Sequence, residues 1–288
     1  MDQAVSPDAA KADETGEAGE TENPFARTAD NPSVPNPARV YDALLGGKDN
    51  YAADRAVADK LATAKPALRP NVRANRAYLG RVVRYLAAEA GIRQFLDLGT
   101  GLPSLDNTHE VAQRAAHDSR IVYVDNDPVV LAHARALLVS STHEGATAYL
   151  QADIRDPAAI LEQAAETLDF SKPVAVMLLG VLYMIPDADR PYETVDTYLD
   201  ALVPGSYLAI SHPASDVDAE AAAQAAREYD NSLPTTQTNR SKAQVAKFFD
   251  GLELLPPGVV QLNQWRPDPG DGDPGIEISS WAGLGLKH

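Results

Sequence analysis

The sequence predicts an α/β fold, a doubly wound and mostly parallel sheet preceded by a helical cap. Three observations predict it. Beyond Gly91, short apolar runs alternate with helical stretches; a glycine turn directly follows the first run; and the segment before Gly91 carries helical periodicity. With 288 residues, 44% of them hydrophobic, the chain is long enough to bury a sizeable core.

Residues 1–33 read as a disordered acidic tail. Acids from Asp2 to Asp30 outnumber Lys11 and Arg27, and few large apolar side chains are there to offset the ordering entropy. Residues 34–288 read as one domain, with a helical cap over 34–90 and the sheet-bearing core over 91–288. Asn36-Pro37 opens the first helix as N-cap and first helical residue, and Gly46-Gly47 closes it. Helices over about 51–64 and 71–90 follow, the second with Leu79, Val82, Val83 and Leu86 at helical spacing. The strands are then Phe95–Leu98, Ile121–Val124, Ala148–Gln151, Val174–Leu179 and Tyr207–Ser211, mostly separated by helical stretches. Val259–Leu262 and Ile276–Ala282, joined by the Pro- and Gly-rich loop from Arg266 to Gly275, read as an antiparallel edge hairpin.

Composition excludes several chemistries. There is no cysteine, hence no disulfide, iron–sulfur cluster, cysteine zinc site or thiol nucleophile. No paired His spacing suits a metal, and neither G-x-S-x-G nor H-E-x-x-H occurs. The longest apolar run, Val174 to Ile185, falls short of the about 20 residues of a membrane span. A net charge of −16 and a pI near 4.7 oppose broad contact with nucleic acid. No basic-then-apolar leader precedes residue 30. The expectation is a cytoplasmic protein with neither a membrane nor a nucleic-acid partner.

The strongest chemical signal is Asp97-Leu98-Gly99-Thr100-Gly101-Leu102-Pro103 at the end of the first strand. Glycines there let the backbone turn sharply and approach a ligand closely. The second strand ends in Asp125-Asn126-Asp127, which places a carboxylate to accept hydrogen bonds from ribose hydroxyls. The third ends in Gln151-Ala152-Asp153-Ile154, adding a polar group at the same rim. The set describes a nucleoside-sized site; ordinary turns with acids capping the next helices are the plainer alternative. A nicotinamide site wants a third glycine where Ser104 stands, and Asp97 would repel a pyrophosphate. S-adenosylmethionine, with two cations and no phosphate, fits an acid at that place.

These segments, together with Ala38 to Tyr51, Asn107 to Val111, Gln151 to Pro157, Pro204 to Leu208 and Phe248 to Pro267, resemble an actinobacterial family of S-adenosylmethionine-dependent methyltransferases formerly catalogued as a domain of unknown function. The resemblance covers nearly everything after residue 33. It implies a class I methyltransferase fold, Rossmann-like and seven-stranded with the last strand antiparallel. It also places S-adenosylmethionine on Asp97, Gly99, Thr100, Gly101, Asp125, Asn126, Asp153 and Ile154, and supplies no methyl acceptor.

The family likeness further implies that Tyr41, Asp42 and the turn Gly46, Gly47 to Asn50 fold over the cofactor as an acceptor lid; a plain helix cap explains the same residues. Gly46-Gly47-Lys48 is no phosphate loop, because Asp49 follows the lysine and no strand precedes it. Arg69, Arg73, Arg76 and Arg84 read as a solvated face paired with carboxylates, with an anion site as the alternative. His109 reads as a packed residue at a helix start, where Asn107 and Glu110 suit a capping box. His212 ends the fifth strand on the cofactor rim. It is the first candidate for a catalytic base, and Tyr183 the second, if the methyl acceptor is a hydroxyl. The expected activity is methyl transfer to a small-molecule acceptor; a non-catalytic S-adenosylmethionine-binding module is the rival.

Overall fold

The computed structural model describes residues 31–104, 106–137, 140–271 and 275–288. The acidic segment read as a tail lies, up to residue 30, outside the described residues. The fold begins with three helices, α1 (Pro37–Leu45), α2 (Ala52–Ala64) and α3 (Leu68–Ala88). Asn36 caps α1 by accepting from the Ala38 and Arg39 amides, and Gly46, at φ 83°, ends it in the left-handed conformation. Asp54 fixes the entry to α2. It accepts the Tyr51 and Asn36 amides at 2.8 and 3.0 Å and pairs with the buried Arg39 at 2.9 Å.

Strand and helix then alternate through β1 (Gln94–Leu98), α4 (Thr108–Ala115), β2 (Arg120–Asp125), α5 (Pro128–Leu137), β3 (Ala146–Gln151), α6 (Pro157–Ala164), β4 (Ala175–Leu179), α7 (Pro191–Asp200) and β5 (Tyr207–Pro213). After α8 (Ala219–Ser232) and α9 (Lys242–Ala246) come the two-residue strands β6 (Glu253–Leu254) and β7 (Val260–Gln261), and finally β8 (Ser280–Leu286). The sheet runs β3-β2-β1-β4-β5-β8-β6, with β7 also on β8. β1 to β5 are parallel, and β8 is antiparallel to β5, from Tyr207 opposite Leu286 to Pro213 opposite Ser280. The strand order reverses between β1 and β4, the place where doubly wound sheets open a ligand crevice.

Alternation along each strand divides the core between the two faces. Leu96, Leu98, Val122, Val124, Val176 and Leu178 pack on one side with α6 and α7. Phe95, Ile121, Tyr123, Ala175 and Met177 pack on the other, against α3 and α4. A third apolar cluster, with Val40, Leu44, Val57, Leu61 and Val72, forms the cap. Two features differ from the sequence reading. The cap includes Tyr229 and Leu233 of the α8 region, and α3 belongs to both layers, with Val72 in the cap and Tyr78 to Ala87 on the sheet.

The final strand is also displaced toward the C-terminus. Ile276 is exposed, and β8 begins at Ser280. Gly283 and Gly285 obscure this strand to propensity, because glycine weakens strands. Here they are required for space: a Cβ at either would press on the Phe249 ring, at 3.0 and 2.9 Å. Among the described residues, no helix is long and apolar enough to cross a membrane.

Candidate functional site

A cavity of about 360 Å³ lies over the carboxyl ends of β1, β2 and β3. Asp97, Gly99, Thr100, Gly101, Asp125, Asn126, Asp153 and Ile154 all line it. Gly99 and Gly101 have φ of 73° and 67°, and a Cβ at Gly99 would collide with the Val181 side chain. The turn is thus pressed between its own strand and the loop after β4. Asp125 secures it from β2: one carboxylate oxygen accepts the Gly101 amide and the other the Asp127 amide, both at 2.9 Å. Asp97 accepts from the Thr108 hydroxyl at 2.6 Å, at the first turn of α4.

Burial and hydrogen bonding shift the three acids in different directions. Burial pushes Asp97 up to about 6, against the opposing Thr108 hydrogen bond and the Arg76 charge. Burial likewise raises Asp125 to about 6, with amide hydrogen bonds from Asp127 and Gly101 pulling down and the Asp127 and Asp97 charges pushing up. For Asp153 burial also acts upward, but hydrogen bonds from the Arg155 side chain and amide outweigh it and hold the carboxyl below its usual range. Arg155 bridges Asp153 at 2.6 Å and Asp189 at 2.9 Å, which ties the β3 rim to the loop after β4.

The cap closes the cavity with Pro37, Ala38 and Tyr41, and α3 contributes Asn75 and Arg76. A family model described as S-adenosyl methyltransferase matches residues 25–288. The chain belongs to this family. A DUF574-family protein from Streptomyces avermitilis MA-4680 is 42% identical with a TM-score of 0.85, the match covering 88% of this chain and 98% of that one. A candidate methyltransferase from Thermobifida fusca YX is 44% identical with a TM-score of 0.81, covering 88% and 96%. No curated protein matches the sequence. The family's cofactor is S-adenosylmethionine, and the methyltransferase's donor set suits it. Among the described residues each Asp125 oxygen accepts a single hydrogen bond and so retains a lone pair that could take a ribose hydroxyl, and buried Asp97 has a carboxylate that could face a cation. Among the described residues no cluster of His, Asp and Glu could hold a metal ion.

The remaining candidates separate. Tyr41 lines the larger cavity, accepts from Asn75 Nδ2 at 3.0 Å and donates to the Val72 carbonyl at 3.4 Å. Asp42, Gly46, Gly47 and Asn50 line neither this cavity nor the smaller one behind it. They form a knot in which the Asp42 carboxylate accepts the Asp49 amide at 2.9 Å and Asn50 Nδ2 at 2.7 Å. A Cβ at Gly47 would collide with that carboxylate. Of the five lid candidates, the structure brings only Tyr41 to the site. Tyr183 lines the cavity beside Tyr41, and its ring meets Tyr229 edge-on at 5.8 Å. Burial, then Tyr229 and Tyr41, push its pKa well above the usual phenol range, so it stays protonated.

His212 lines only the smaller cavity. Burial pushes its pKa down to about 3, so the ring is neutral. In the tautomer that satisfies both contacts, Nδ1 donates to the Pro213 carbonyl and Nε2 accepts from Arg240, each at 2.9 Å. As placed, it has no lone pair for a substrate proton. Arg240, buried, also donates to the Leu182 and Ile185 carbonyls and to Asp187, and so pins the loop after β4 to β5. Sequence reasoning missed this arginine, whose partners lie tens of residues away. It also read Arg76 as part of a solvated face. Arg69 and Arg84 do pair with Asp59 and Asp268, but Arg76 lines the larger cavity.

Proposed function

We propose that the protein transfers the methyl group of S-adenosylmethionine to a small-molecule acceptor held beneath the N-terminal cap. The observation that carries this reading is the pairing of cavities. The cofactor cavity shares Pro37, Tyr41, Asn75, Gly180 and Tyr183 with a second chamber of about 100 Å³, sized for a small acceptor group. The protein's net charge of −16 points the same way, against a nucleic-acid acceptor.

The cofactor supplies a methyl already activated by its sulfonium. Transfer forms a bond from the acceptor's nucleophile to the methyl carbon and breaks the carbon–sulfur bond, leaving S-adenosylhomocysteine. On this reading Gly99 to Gly101, Asp97, Asp125 and Asp153 hold the cofactor, and Arg76 faces its carboxylate. Tyr41, Asn75 and Tyr183 orient the acceptor at the shared wall. Proximity and orientation then supply most of the acceleration without a side-chain base. Tyr183 is assigned as a wall and hydrogen-bond donor, and His212 as the support of Arg240.

The test is incubation of the protein with isotope-labelled S-adenosylmethionine and a metabolite extract of the host. The expected outcome is one labelled small molecule formed in step with S-adenosylhomocysteine. Tight cofactor binding with no label transferred would favour the non-catalytic binding module.

A further inference from the structure

The second chamber has walls mainly of apolar side chains, including Val40, Leu44, Leu61 and Val72. Its polar groups are largely satisfied by the protein. Asn71 exchanges hydrogen bonds with Ser279, Ser211 donates to Asn75, His212 is held by Pro213 and Arg240, and Tyr229 bonds Thr235. Lys65 supplies the charge. It lines the chamber at 4% exposure, yet among the described residues nothing accepts a hydrogen bond from its ammonium and no carboxylate reaches ion-pair distance. Asp218 acts on it only from further away, and burial pushes the lysine's pKa down. Among the described residues no Asp or Glu lines the chamber. In a protein with 41 acids against 25 bases, an apolar chamber whose one charged group among the described residues is a cation without an ion pair is complementary to an anion.

We propose that this chamber is the methyl-acceptor subsite and that Lys65 binds a carboxylate on an acceptor whose body is otherwise apolar, an inference that rests on the methyl-transfer reading above. One ammonium neutralises one negative charge. A phosphate dianion would be left under-compensated among apolar walls, whereas a carboxylate is matched. Lys65 lines the smaller chamber and not the cofactor cavity, so the carboxylate anchors the end away from the cofactor. The reacting nucleophile is then a second group on the acceptor, presented at the wall formed by Tyr41, Asn75, Gly180 and Tyr183.

The test uses the full chain saturated with S-adenosylhomocysteine and titrated calorimetrically with benzoate, phenylacetate and hexanoate, each beside its neutral amide. At least one carboxylate should bind at least about tenfold more tightly than its amide. Lys65→Met should abolish that preference, keep S-adenosylhomocysteine affinity within about threefold, and raise the melting temperature by removing a buried unpaired charge. If Lys65→Met does not fold, Lys65→Gln serves the same comparison. The inference is overturned if no carboxylate is preferred by protein that binds S-adenosylhomocysteine, if the preference survives in the variant, or if the folded variant melts lower. Failure of the wild-type protein to bind S-adenosylhomocysteine would instead overturn the methyl-transfer reading.

Discussion

Asn36 and Asp127, 91 residues apart, join the cap to the rim of the larger cavity. The Asn36 side-chain oxygen accepts the first amides of α1, while its nitrogen donates to Asp127 at 2.5 Å. Asp127 also caps α5 by accepting the Val129 amide at 2.9 Å, two residues beyond Asp125. One carboxamide thereby starts the helix that covers the cavity and fastens it to the strand end beneath. Asn36→Ala loses both functions. The cap alone is worth about 0.5–2 kcal/mol, and a double-mutant cycle with Asp127→Ala should show coupling of about 0.5–3 kcal/mol. Affinity for S-adenosylhomocysteine should fall with it, because the cap loses its tether over the cavity. Additive losses in denaturant unfolding would show that the two residues act independently.

Acid should weaken cofactor binding while increasing the stability that Asp97 and Asp125 contribute to the cofactor-free fold. Asp97 and Asp125 are raised to about 6 by burial, above their usual 3.8. Between those values the folded state holds more protons than the unfolded chain. The stability these groups contribute is therefore greatest below the unfolded value and is lost as pH rises through about 6. On the proposed reading cofactor binding needs the opposite charge state, in which ionised Asp125 would accept from ribose hydroxyls and ionised Asp97 would face a cation. The two interact and titrate as a pair. Calorimetry with S-adenosylhomocysteine should show affinity at least about tenfold weaker at pH 5 than at pH 7.5. Equal affinities would refute the charge assignment.

The sequence disclosed what is local and hid what is distant. The glycine turn and the strand-end acids each occupy a few consecutive residues, and all eight cofactor candidates line one cavity. The N-terminal helices were readable from caps, with α1 and α2 starting within a residue or two of their expected places. By contrast, the partners of Arg240 come from β5 and from the loop after β4, and no local pattern links them. Lys65 looks like any surface lysine until α8 closes over α2. Gly283 and Gly285 disguised the last strand because their reason, the Phe249 ring, comes from another part of the chain. The 46–50 turn misled in the other direction: its glycines suggested a hinge, but Gly47 is there to make room for Asp42.

Gly99→Ala should damage the glycine turn in two separable ways. Its φ of 73° is costly for an L side chain, and the new methyl would collide with Val181. The expected loss is about 1–3 kcal/mol of stability, with weaker S-adenosylhomocysteine binding. Val181→Ala in the same chain should restore part of the stability by removing the collision, leaving the backbone strain. A Gly99→Ala protein with unchanged melting temperature and affinity would show that the turn relaxes freely.

His212 gives the sharpest division between a chemical and a structural role. It is neutral, with a pKa pushed down to about 3, and Arg240 occupies Nε2 at 2.9 Å. Replacing it with leucine leaves an Arg240 N–H unsatisfied in the interior, which costs about 1–3 kcal/mol or more for a charged donor. His212→Leu should therefore melt lower, and its turnover should fall through the loop after β4 that Arg240 holds. Glutamine can still offer an oxygen to Arg240, so His212→Gln should recover most of both. A general base contributes about 10²–10⁴-fold, and glutamine cannot replace one. Turnover of an identified acceptor in His212→Gln within about tenfold of wild type, with its pH profile unchanged, fits a positioning residue. A fall beyond about a hundredfold at unaltered melting temperature would restore His212 as the base.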